Sequence, residues 1–190
     1  MTRIFRWFPV VVALLLLPAC GAQQKKAAEA ALSAAESAYS AIAAQATNLA
    51  PDEAQGIEAA LASARASLAQ GDYKSALTVA QDAQARIKVL ADGMPALAEK
   101  LKADWKTLAD SVPGALAQTR RKLEGFGKPP AASPERPKYD GASAQLTQLE
   151  QQWEQAGQLA SQGKLAQAIA QGEQVRSGMV QVLSALQAGS

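Results

Sequence analysis

Histidine is absent from the 190 residues, cysteine occurs once, and aromatic residues make up only 5%. Without histidine there is no Cys/His metal site and no catalytic triad with an imidazole base. With one cysteine the chain closes no internal disulfide. Carboxylates, lysines and tyrosines remain for chemistry, but no carboxylate pair stands out. Asp104 and Asp110 flank Trp105, yet their spacing sets them on different sides of a helix. Neither a Gly-rich catalytic loop nor a strand-borne acid pair is present, so the sequence reads as non-enzymatic, with no metal and no diffusible cofactor. A long hydrophobic run is lacking too. Val10 to Leu17 is the main apolar stretch, and a membrane span needs about 20 apolar residues.

That short run has a context. Arg3 and Arg6 precede it, and Leu17, Pro18, Ala19, Cys20 and Gly21 follow, the order of an export leader. The arrangement resembles a bacterial lipoprotein signal peptide. The resemblance implies cleavage before Cys20, covalent lipid such as palmitate on its sulfur, and, with Gly21 rather than Asp next, an outer membrane location facing the periplasm. Pro18 departs from the family pattern, which prefers Ala, Ser, Thr, Val or Ile there. An ordinary signal peptidase cutting after Ala22 is the alternative, and it leaves a soluble periplasmic protein. Several acyl chains at about 0.8 kcal/mol per buried methylene make a lasting anchor.

Neither sign of charge is in excess over the remainder. Arg3 and Arg6 leave with the leader, so 17 basic residues face 17 acidic ones. A neutral chain has no electrostatic pull toward nucleic acid. The densest basic run is Arg120, Arg121 and Lys122. It reads either as a solvated helix end or, with Lys25 and Lys26 beside the anchor, as a contact for anionic lipid headgroups.

Helical periodicity dominates what is present. From Lys25 to Ala50, the residues Ala28, Leu32, Ala35, Tyr39, Ile42, Ala46 and Leu49 form one stripe along about 39 Å of helix. Pro51, Asp52 and Glu53 open a second helix, with Ile57, Leu61, Ala64 and Leu68 on one face. Gly71 is placed to end it in a left-handed conformation, and Asp72 to accept from the next helix's free N–H groups. Tyr73, Ala76, Leu77, Ala80, Ile87 and Leu90 continue into an antiparallel hairpin. Gly93 and Pro95 predict a break. Leu97, Leu101, Trp105, Leu108, Val112, Leu116, Leu123 and Phe126 then hold phase across Pro113, which predicts a kinked helix. A glycine- and proline-rich stretch leads to Tyr139, Ala142, Leu146, Leu149, Trp153 and Ala156. Gly163 closes that helix, and Leu165, Ala168, Ile169, Gly172, Met179, Val182 and Leu186 mark the last.

The chain repeats itself at a shift of 92 residues. Gln70, Gly71, Tyr73, Ala76 and Leu77 meet Gln162, Gly163, Leu165, Ala168 and Ile169, and Leu61 meets Trp153. The expected organisation is a leader at 1–19 and an anchored N-terminus at 20–24. A first helical unit at 25–93 follows, then a kinked linking helix at 94–124, a Pro/Gly-rich linker at 125–138 and a second hairpin at 139–190. The fold class is all-α, an antiparallel bundle of about five long helices built from two related hairpins, with an alanine-rich core.

Around Gly71 the run Gln70 to Leu77 resembles the corner of a tetratricopeptide repeat, although those units recur every 34 residues. A wider resemblance, over Lys25 to Leu90, is to a family of uncharacterised alanine-rich bacterial lipoproteins with the same long helix and Gly71, Asp72, Tyr73, Ala76 turn. It implies a helical envelope domain and brings no catalytic or binding residues. The function expected is a lipid-anchored scaffold or adaptor that meets an envelope protein partner. The alternative is a periplasmic binding module, either for an apolar ligand lined by Tyr39, Tyr73, Trp105 and Trp153 or for peptidoglycan.

Overall fold

The computed structural model describes the backbone of residues 18–187 and the side chains of 22–185. The apolar leader up to Leu17 lies outside the described residues. Five helices and no strand occur among the described residues: α1 (Pro18–Leu49), α2 (Pro51–Ala69), α3 (Tyr73–Gly125), α4 (Arg136–Ser161) and α5 (Leu165–Gln187). The protein is an all-α helical bundle. Its described residues divide into two compact units, one made of residues 18–47 with Asp52–Gly93, the other of Asn48–Pro51 with residues 94–187.

The first unit packs α1, α2 and the opening part of α3 around Leu32, Tyr39, Ile57, Leu61, Ile87 and six alanines: Ala35, Ala46, Ala54, Ala64, Ala80 and Ala83. Alanine lets helix axes approach closely and loses little side-chain entropy on burial. The second unit packs the rest of α3 with α4 and α5 around Leu108, Val112, Leu116, Leu123, Leu146, Leu149, Val175, Met179 and Val182, with Ala142 as its one clustered alanine. An alanine-rich core therefore describes the first unit only. Close approach in the second comes instead from Gly172 and Gly178 on α5, which are set against larger neighbours. A Cβ at Gly178 would sit 2.5 Å from Leu149 Cδ2, and one at Gly172 would sit 3.1 Å from Leu108 Cδ1.

Both hairpins turn in the same way. Gly71 has φ +80 and Gly163 φ +78, a region that costs other L-residues about 1–2 kcal/mol. The N–H of Asp72 donates to the Ser67 carbonyl at 2.9 Å, and that of Lys164 to the Leu159 carbonyl at 3.0 Å. These are the long back-bonds that close a helix at a left-handed glycine. Asp72 adds a cap, its Oδ1 accepting the Ser75 N–H at 3.0 Å.

Three expectations need correction. Helix is already formed before Lys25, running from Pro18, the first described residue. The break expected at Gly93 and Pro95 is also absent, and α3 continues through both Pro95 and Pro113. Both prolines are exposed, and each follows a buried side chain, Met94 or Val112. Their spacing of 18 residues is five helical turns, so both lie on one solvent-facing side where water can satisfy the carbonyl left without a donor. Phe126, expected to continue the apolar stripe, is 53% exposed, because α3 ends one residue earlier and Gly127 at φ +68 turns the chain away.

Candidate functional site

The backbone at Cys20 is helical, within α1, and its side chain lies outside the described residues. Lys25 and Lys26 are exposed on the same helix, Lys25 lying 3.8 Å from Glu29. Arg120, Arg121 and Lys122 separate in role. Arg120 is bidentate on Glu150 of α4, with Nε donating to Oε1 at 2.9 Å and Nη2 to Oε2. Hydrogen bonding to that carboxylate raises the Arg120 pKa above its ordinary value. Arg121 is exposed. Lys122 borders an open cleft of about 280 Å³ with Gly125, Phe126 and Leu183.

The four aromatics divide between the two units, Tyr39 and Tyr73 in the first and Trp105 and Trp153 in the second. Tyr39 is buried in the first unit, and its hydroxyl donates to Glu58 Oε1 at 2.8 Å and lies 3.3 Å from the Ala54 carbonyl oxygen. Burial, followed by the Glu58 hydrogen bond and charge, pushes its pKa from 10.0 up to about 12. Tyr73 is half-buried at the start of α3. Trp105 and Trp153 do meet, stacked in the second unit with ring centroids 5.3 Å apart and an interplanar angle of 20°. Gly172 supports that pair: the Trp153 ring comes within 3.3 Å of where its Cβ would be. An offset stack of this kind is worth about 0.5–1.5 kcal/mol beyond burial, and it ties α3 to α4.

Sequence reasoning missed a different feature, an open cleft of about 450 Å³ between α4 and α5. Gln145, Gln148 and Gln152 form one wall, and Gln174 and Gln181 the other, with Leu149 and Gly178 in the floor. The signal was present in the chain: 12 of its 20 glutamines follow position 138. On α4 the wall residues recur at intervals of three and four, which is one helical face. Gln155 and Gln171 also meet across the two helices, at 3.0 Å, whereas the five wall amides make no such bond among the described residues. The carboxylate at the cleft's edge, Glu173, is paired with Arg176 at 2.6 Å.

Among the described residues no cluster of His, Cys, Asp or Glu could hold a metal ion, and no helix is long and apolar enough to cross a membrane. The chain matches no family model, no curated protein and no solved structure.

Proposed function

We propose that this protein is a lipid-anchored helical lipoprotein of the bacterial cell envelope, acting as a structural or protein-interaction module rather than as an enzyme. The observation that carries this reading is Cys20, the chain's single cysteine, standing directly after Leu17, Pro18 and Ala19 at the end of a basic and apolar leader. Acyl chains on its sulfur and amino group would hold α1 at a membrane surface, less firmly than a span but, with two or more chains, effectively without exchange. Each unit satisfies its own buried groups, and no buried side-chain N or O atom lacks a partner among the described residues. A chain built in this way offers surfaces rather than reactive groups.

Replacing Cys20 with Ser and fractionating the cell tests the anchor. The wild-type chain is expected in the membrane fraction, with an acylated N-terminal cysteine by intact mass, and the variant in the soluble fraction. A native chain that begins at Gln23 without acyl mass would overturn the reading.

The alternative of a binding module is favoured by one observation, the glutamine-walled cleft of the second unit. Its polar walls support a hydrogen-bonding ligand over an apolar one.

A further inference from the structure

We infer that the α4–α5 cleft is a binding site for an uncharged acetamido-sugar segment. The inference deepens the binding-module alternative and rests on the cleft alone, independently of the anchor. Its walls are carboxamides, each offering a donor and an acceptor side by side. An acetamido group presents the same pair in reverse, and sugar hydroxyls accept and donate in turn. The floor is apolar, formed by the buried Leu149 and Gly178. A pyranose has matching anatomy, with C–H groups on its face and polar groups around its rim. Charge does not favour an ionic ligand, because the Glu173 carboxylate is already held by Arg176. The volume of about 450 Å³ falls within the range of small-ligand sites.

The first unit shows what the same face looks like when it is filled. At the 92-residue register Gly56 stands where the second unit has Gln148, and Arg86 where it has Gly178. Arg86 lies across that glycine: its Nη1 is 3.4 Å from the Gly56 carbonyl oxygen, and its Nη2 is 2.6 Å from the site a Cβ would take. Glu53 and Asp82 hold the positions of Gln145 and Gln174. One hairpin therefore covers this face with its own guanidinium and carries carboxylates where the other carries amides. In the other, Gly178 lets the Leu149 side chain close the floor, no long cation lies across it, and neutral amides take the place of the charges.

Side-chain amide NMR of the full chain, titrated with chitotetraose, tests the assignment. The expected result is a saturable shift of the Gln145, Gln148, Gln152, Gln174 and Gln181 amides at ligand concentrations on the order of millimolar. The bonded Gln155 and Gln171 pair should stay in place. The double variant Gln148→Leu with Gln174→Leu keeps helix propensity and should bind about tenfold more weakly, with unchanged helical circular dichroism. Absence of a saturable shift, shifts spread equally over Gln55 and Gln81 of the first unit, or an equal response to maltotetraose would each overturn it. The Cys20→Ser chain should give the same titration, so failure here leaves the anchor standing and failure of the anchor leaves the cleft.

Discussion

The two hairpins share a turn and a burial pattern but not a way of filling space. Ala54, Ile57, Leu61 and Ala64 of α2 stand 92 residues before Leu146, Leu149, Trp153 and Ala156 of α4, and Ala80, Ala83 and Ile87 before Gly172, Val175 and Met179. Nearly all are buried in both units. At the first of these positions the difference is plain. Ala54 is small, and the Tyr39 hydroxyl from α1 comes to 3.3 Å from its carbonyl oxygen; Leu146, at the corresponding position of the sequence, is a larger side chain and is 0% exposed. Topology thus follows from which positions are apolar, whereas helix spacing follows from their volumes.

Exchanging these residues should break the comparison most sharply. Leu146→Ala is expected to cost about 2–5 kcal/mol, the range for emptying a buried leucine site. Trp105 and Trp153 both belong to the second unit, so in the leaderless chain denaturation followed by fluorescence reports that unit. Its midpoint should fall. The reverse change, Ala54→Leu, should cost about 1–3 kcal/mol by overpacking and should move the circular dichroism transition rather than the fluorescence one. If both variants shift both signals equally, the units do not unfold separately.

Much of this architecture was legible in the chain. The α1 stripe from Ala28 to Leu49 is buried at every named position except Ile42, which is partly buried, because a long amphipathic helix leaves no doubt about its phase. The turn at Gly71 was legible because its backbone conformation favours glycine. Continuity through Gly93 and Pro95 was not, since a proline in a helix interior costs about 3 kcal/mol locally and only burial of Met94 and exposure of Pro95 show how the helix persists. The cleft was hidden for another reason. Its walls are glutamines, whose individual positions carry no hydrophobic signal, and its floor depends on Gly178, which by spacing alone reads as a weak point in a helix. The pairing of Arg120 with Glu150 likewise joins residues 30 apart, a distance that local periodicity cannot bridge.

Tyr39 offers a smaller, pH-dependent way to separate the units. Burial and the Glu58 carboxylate raise its pKa from 10.0 to about 12, so the folded state holds this proton more tightly than the unfolded chain does. The stabilisation is whole below pH 10 and is lost as pH rises toward about 12; that difference in proton affinity is worth roughly 3 kcal/mol. Tyr39→Phe should flatten this alkaline decline in circular dichroism melts, with little change in the fluorescence transition of the second unit. An unchanged alkaline limb in the variant would mean that other groups cause it.

The smallest expected difference lies at the turns, where the backbone matches and the side chain does not. Asp72 accepts the Ser75 N–H, but Lys164, at the equivalent position, has no acceptor and places a cation near the start of α5, where the helix dipole favours an anion. Asp72→Ala should cost about 0.5–2 kcal/mol. Lys164→Asp should gain up to about 1 kcal/mol by supplying an acceptor for the Gln167 N–H and reversing the charge. Thermal melts of the two variants should therefore move in opposite directions. If Lys164→Asp leaves the second unit's melting temperature unchanged, the first turn of α5 is already satisfied by water, and the two hairpins differ in sequence at this point without differing in stability.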